Sequence, residues 1–215
     1  DLPVGPTAKV RSAQAAATLG SRLSAVGQAI GLRVALHESD GTAPVGRGIG
    51  PALEAADVLA VLRRAPAAPT DLRDRALDLA GRLLDMAPGA SGKTGRARAE
   101  KLLDSGAADA KFMAICAAQG GFRDPGEAPQ RAEMLAPAAG YITAIDNRLI
   151  ARIAKLAGAP RQQRAGVRLL VRVGEPVETG QPLYEIHAET TGELAYARAY
   201  AESHAGALSL SEDTA

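Results

Sequence analysis

The segment best equipped for chemistry is Gly46-Arg47-Gly48-Ile49-Gly50-Pro51-Ala52-Leu53-Glu54. Its alternating glycines let the backbone turn tightly and bare carbonyls and amides. A helix is predicted from Pro51, so the free N–H groups of its first turn can face an anion. The spacing is not that of a dinucleotide fingerprint, whose last glycine comes three residues after the second and falls inside the helix. A tight loop feeding a helix, with no ligand, also fits. Lys9 follows a strand-like Asp1-Leu2-Pro3-Val4 and a Gly5-Pro6-Thr7 turn. It therefore emerges near the C-terminal edge of a sheet, where α/β folds gather polar substrates. The alternative is an ordinary solvated lysine. Ser91-Gly92-Lys93-Thr94 resembles the end of a phosphate loop, but the position of the required earlier glycine holds Ala87 and a helix precedes it. The phosphate cradle is thus incomplete.

Other reactive residue types are scattered. His37, His187 and His204 are far apart, and no carboxylate or cysteine cluster has zinc-ligand spacing. His37 reads as a solvated residue at a strand end. Cys116, the single cysteine, reads as a small core residue on an apolar helix face. It has no internal disulfide partner, which fits a reducing cytoplasm. Asp1, Asp40, Glu54 and Asp57 form no pattern that assigns a general acid or base.

Composition narrows the partners. Of 215 residues, 47% are apolar and 23% charged, as in soluble globular proteins. Aromatics make up only 3%, without Trp, so the core must be built of Ala, Leu, Val and Ile. Net charge is +1 with dispersed Lys and Arg. With few aromatics for base stacking, this argues against nucleic acid and against an anionic membrane as partners. No apolar run approaches the roughly 18–20 residues that span a bilayer. The chain opens at Asp1 without Met, directly in a strand, and reads as a piece of a longer protein.

The elements that must position these groups follow from periodicity. A strand at residues 1–4, a helix of about 19 residues capped by Ser12, and a strand at 32–36 predict a parallel βαβ unit. Leu19, Leu23, Val26 and Ile30 form the helix's apolar face, and Gly31 ends it. Helices are predicted at 51–64, at 70–86 with Thr70 as cap, and at 96–103 and 108–118, the last two closed by Gly106 and Gly120. Residues 121–130 read as a linker, dividing the chain into parts 1–120 and 131–215. Beyond it, a strand at 140–145, a helix capped by Asp146, an antiparallel pair from 167–173 and 183–187 around a Gly174-Glu175-Pro176 turn, and a helix at 191–205 are predicted. The last ten residues read as frayed. The fold class is α/β with α+β.

Three segments in this order resemble the thymidine phosphorylase family, which includes pyrimidine nucleoside phosphorylases and AMP phosphorylases: DLPVGPTAKV, PVGRGIGPALEAADVLAVL, and LAPAAGYITAIDNRLIARIAKLAGAPRQ with GVRLLVRVGEPVETGQPLYEIHA. They span nearly the whole chain, and the first two look closer to the AMP phosphorylase-like branch. The resemblance implies a partial parallel sheet with helices, followed by an α/β hammerhead-like domain. It also implies phosphorolysis of a nucleoside, with inorganic phosphate as co-substrate, no organic cofactor, and a homodimer at full length. The family's phosphate- and base-holding residues precede the DLPV strand, so no catalytic residue is assigned in this chain. Lys9 matches a position lining the base pocket. A small apolar residue often sits there in thymidine phosphorylases, and lysine fits a more polar substrate. Val45, Gly48 and Asp57 match two carbonyls and a carboxylate that hold potassium, with Asp57 in place of the usual Glu; for Asp57 the alternative is a surface helix residue. The turn from Arg172 to Val177 lacks the lysine that biotinyl and lipoyl carriers modify, which argues against a carrier role. Two rival readings accompany this one: a phosphorylase of nucleoside monophosphates, and a non-enzymatic binding or scaffold module.

Overall fold

The computed structural model describes residues 1–87, 94–124 and 126–211; Ser91, Gly92 and Lys93 of the phosphate-loop look-alike lie outside the described residues. The opening strand β1 (Leu2–Val4) pairs in parallel with β2 (Glu38–Asp40), Leu2 opposite Glu38 and Val4 opposite Asp40. Helix α1 (Ala13–Ala29) joins them. The Ser12 hydroxyl caps α1 by accepting from the Ala15 amide at 3.2 Å, and Gly31 takes a positive φ just past its end.

The strand–helix–strand order is as predicted, but the second strand is not at 32–36. Val34 and Leu36 are instead drawn against the α1 glycines. A Cβ on Gly27 would lie 2.3 Å from Val34 Cγ2, and one on Gly20 would lie 2.6 Å from Leu36 Cδ1. Pairing with β1 begins only where the Leu2 amide donates to the His37 carbonyl. This contact also turns α1. Its buried residues are Ala16, Gly20 and Gly27, while the stripe read as its core face is open, with Ile30 67% exposed. A two-stranded sheet has too little surface to cover both sides of the helix.

Four further helices form a layer: α2 (Pro51–Leu62), α3 (Thr70–Met86), α4 (Gly95–Asp104) and α5 (Ala107–Ala118). Val61, Leu77, Ala99 and Leu103 make its small core. Thr70 does not cap α3. It is the first helical residue, and its hydroxyl accepts from Arg172 Nη1 at 3.2 Å. Arg75 ties α3 to the β1–β2 edge, donating to Ser39 Oγ and the Asp40 carbonyl.

The remaining strands form two antiparallel sheets. One has the order β3 (Gly48–Ile49), β6 (Gly166–Leu169), β8 (Pro182–Ala188), β4 (Gln130–Leu135); the other has β7 (Pro176–Val177), β5 (Gly140–Ile145), β9 (Leu208–Ser211). Helices α6 (Asn147–Leu156) and α7 (Thr191–Ser203) complete the unit. Ile142, Ile150, Ile153, Ile186 and Val167 are fully buried in its core.

Three sequence readings are corrected. The strand expected over 167–173 stops at Leu169, and the Gly174 turn delivers β7 to the other sheet, so the expected meander is split between sheets. Residues 130–135 form β4, where Gln130 was read as the end of the linker and 131–135 were assigned no element; their half-buried, half-exposed alternation made only a faint period-two signal. Leu208–Ser211, within the tail expected to fray, pair with β5, because Leu208 and Leu210 turn inward in a Leu-Ser-Leu-Ser alternation.

Candidate functional site

The glycine-rich loop is built around Asp57. This side chain on α2 is only 4% exposed, and its Oδ2 accepts the amides of Arg47 at 2.6 Å and Gly48 at 2.8 Å. The reading of Asp57 as a surface residue is therefore excluded. Gly46 at φ +81 brings its Cα so close that a Cβ would lie 2.8 Å from Asp57 Oδ2. Gly50 at φ +132 allows the chain to enter α2 directly above the Ala165 carbonyl, and Pro51 begins the helix.

Gly48 and Asp57 are thus brought together, and strand geometry aims a carbonyl at the same place. Gly48 lies opposite Arg168, while the Leu169 amide donates to the Arg47 carbonyl. That pattern marks Gly48–Arg168 as a non-hydrogen-bonded pair. Both the N–H and the C=O of Gly48 therefore turn away from β6, toward the side where Asp57 meets the amide. Neither Asp57 Oδ1 nor the Val45 carbonyl takes part in a hydrogen bond among the described residues. The Gly48 carbonyl and the free Asp57 Oδ1 are oxygens of the kind a hard cation accepts.

Residues that sequence reasoning missed lock this loop to both halves of the chain. The Gly46 amide donates to Asp71 Oδ2 at 3.1 Å, and Arg172 Nη2 lies 3.3 Å from Asp71 Oδ1. The Arg172 amide is held in turn by Glu175 Oε2 at 2.9 Å. Asp71 sits in the first turn of α3, where the helix dipole favours a carboxylate. Burial, and next the Arg172 guanidinium, push the Arg47 pKa below its ordinary value, with Asp71 and Glu175 opposing. Nothing in the sequence spacing links positions 47, 71 and 172, because the link is made by tertiary packing.

Lys9 is exposed on the turn after β1, where the Gly5 amide donates to the Val10 carbonyl. A cavity of about 370 Å³ opens beside this turn, between Pro6, Thr7 and Thr42 on one side and Thr143, Asp146 and Ser209 on the other; Lys9 is not among its lining residues. Asn147 bridges the two sides: its amide donates to Thr7 Oγ1 at 3.2 Å and its Nδ2 to the Gly41 carbonyl at 3.0 Å. Its Oδ1 is buried and unpaired among the described residues. The side chain of Asp146 caps α6 through the amides of Arg148 and Leu149. The sequence signalled that cap but not the bridge.

Among the histidines, only His187 is buried, with Nε2 3.4 Å from Glu185 Oε2. Burial pushes its pKa below the usual 6.5, with Glu185 only partly opposing. The unfolded chain then takes up the proton more readily than the folded one. Its contribution to stability is whole above pH 6.5 and is lost as the pH falls through that value toward the lower folded pKa. The urea midpoint is expected to drop between neutral and mildly acidic pH, and His187→Gln to flatten that slope. Among the described residues no group of three or more His, Cys, Asp or Glu could hold a metal, and no helix is long and apolar enough to cross a membrane.

The stretch from β5 through α7 is a recognisable module: residues 141–205 match the pyrimidine nucleoside phosphorylase C-terminal domain. The similarity reaches well beyond that module. The chain is 54% identical over 213 residues, 99% of its length, to "Putative thymidine phosphorylase 1" of Acidovorax sp. (strain JS42). It is 56% identical over 213 residues to "Putative thymidine phosphorylase" of Polaromonas sp. (strain JS666 / ATCC BAA-500), and 50% identical over 214 residues to a protein of the same name from Hahella chejuensis. Residues 141–205 thus carry the pyrimidine nucleoside phosphorylase C-terminal domain, and nearly the whole chain is similar to proteins named putative thymidine phosphorylase. The chain spans 42% of the length of each of these relatives.

Proposed function

We propose that the chain is the C-terminal lobe of a phosphorylase that cleaves the N-glycosidic bond of a nucleoside, converting thymidine and inorganic phosphate to thymine and 2-deoxyribose 1-phosphate. The observation that carries this reading is the 54% identity along 99% of the chain to a protein named for that activity. In such a reaction phosphate attacks C1′ as the base departs, through a transition state with oxocarbenium character. The protein must hold phosphate beneath the sugar and stabilise the leaving base. The groups that do so belong to the part of the enzyme that these 215 residues do not contain. The full-length enzyme acts as a cytoplasmic homodimer without an organic cofactor.

This chain supplies the wall and the frame. Lys9 offers a cation to the base or to a polar group on the substrate. Beside the cavity at its turn, the Asn147 bridge holds the β1–β2 edge to the C-terminal module. The carbonyls of Val45 and Gly48 and the Asp57 carboxylate would hold potassium, which would neutralise Asp57 and pin the loop to α2. The test is phosphate-dependent base release by the whole polypeptide that carries these residues, with thymidine, uridine, AMP and CMP as substrates. Lys9→Ala is expected to raise KM for the preferred substrate about tenfold, worth about 1.4 kcal/mol, with a smaller change in kcat. An unchanged KM would remove Lys9 from the pocket, and turnover of AMP alone would assign the enzyme to nucleoside monophosphates.

A further inference from the structure

A second polar cavity, of about 330 Å³, lies beneath the first turns of α2, on the face of the β4–β8–β6 sheet opposite the isoleucine core. Its floor is a grid of charged and ring side chains. Arg131 lies opposite His187 across the β4–β8 ladder, and Arg168 lies opposite Glu185 across the β6–β8 ladder. The period of two puts all four on one face and sends Ile186 and Val167 to the other. Arg164 and Glu127 complete the wall.

Three arginines and three carboxylates stand in and around this cavity, but their pairing is uneven. Arg131 is paired with Glu127 at 2.5 Å, and Arg164 with Glu189 at 3.2 Å. Glu185 meets His187 rather than its cross-strand neighbour, and the side chain of Arg168 has no hydrogen bond or ion pair among the described residues. A half-buried guanidinium is thus left with its fork free beside a histidine that is 4% exposed. Arg131, Arg168 and His187 all line the one cavity, with Arg131 directly opposite His187. An arginine fork matches carboxylate and phosphate oxygens in bidentate fashion. The volume falls within the range of small-molecule sites.

We propose that this cavity binds a small oxyanionic metabolite, carrying phosphate or carboxylate, between Arg168 and Arg131 over the His187 ring. The site is separate from the cavity beside Lys9 and stands whether or not the chain serves phosphorolysis. The test titrates the 215-residue chain at neutral pH with inorganic phosphate in one arm and succinate in the other, following the ring C–H resonances of the three histidines by NMR. His187→Gln assigns its signal. In the wild-type chain the His187 signal is expected to shift saturably with one or both probes, while those of His37 and His204 hold still. Saturation by phosphate alone assigns a phosphate ester, by succinate alone a carboxylate, and by both an oxyanion site without preference. Arg168→Gln is expected to weaken binding about tenfold or more, with Arg131→Gln as a second variant and Lys9→Ala without effect. An unchanged urea midpoint shows that each variant still folds. A His187 signal that saturates with neither probe below about 50 mM, or binding as tight in both arginine variants as in the wild type, overturns the proposal.

Discussion

Asp57→Ala is expected to lower the unfolding free energy by about 3 kcal/mol, read as a fall in the urea midpoint at constant m-value. The carboxylate is buried and accepts the amides of Arg47 and Gly48 at 2.6 and 2.8 Å. Hydrogen bonds to a charged acceptor contribute more than neutral ones, and removing the acceptor leaves both donors desolvated and unpaired. Asp57→Asn keeps an acceptor oxygen without the charge, so about half the loss is expected. Hydrogen exchange locates the effect: the Arg47 and Gly48 amides should lose more protection in the alanine variant than those of β8, whose exchange rises only as far as global stability falls. Exchange that is unchanged at positions 47 and 48 would mean that the carboxylate does not organise the loop.

Gly50→Ala is expected to cost as much or more, about 3–4 kcal/mol, combining backbone strain and a steric clash. Gly50 has φ +132 and ψ 152, a region essentially reserved for glycine. A Cβ there would sit 2.4 Å from the Ala165 carbonyl oxygen, a backbone atom that cannot rotate away. The relief is for the loop to lift from β6, which would undo the β3–β6 pairing and the capture of the loop amides by Asp57. Loss of the β3–β6 exchange protection is the accompanying signature. A variant within 0.5 kcal/mol of wild type, the range of ordinary surface substitutions, would show that the loop does not need this conformation.

What the sequence revealed and what it hid follows from the range of the interactions. Helix ends were readable because their signals are local: Ser12, Pro51, Asp146 and the glycines after α1, α4 and α5 act within a turn of the boundary. The 32–36 segment was misread because an apolar run looks alike whether it pairs with a strand or packs on a helix. Here two glycines of α1 let it pack. The open stripe of Leu19, Leu23, Val26 and Ile30 follows from the same choice. A contiguous open apolar patch of this kind suits contact with a further element or partner. Of the site, Lys9 and the Gly46–Glu54 loop were visible in residue type and order, while the base-pocket role of Lys9 and the grouping of Val45, Gly48 and Asp57 came from the resemblance. Asp71, Arg172 and Asn147 did not, because their partners lie roughly 25 to 140 residues away in sequence. Side-chain contacts at such range leave no periodic trace.

The most direct test of the central claim is the phosphate requirement of base release. The whole polypeptide that carries this chain is incubated with thymidine, with and without inorganic phosphate, and thymine and sugar phosphate are quantified together. The account predicts thymine only when phosphate is present, with one 2-deoxyribose 1-phosphate formed for each base released. Base release at the same rate without phosphate, or none from any nucleoside or nucleoside monophosphate, would contradict it.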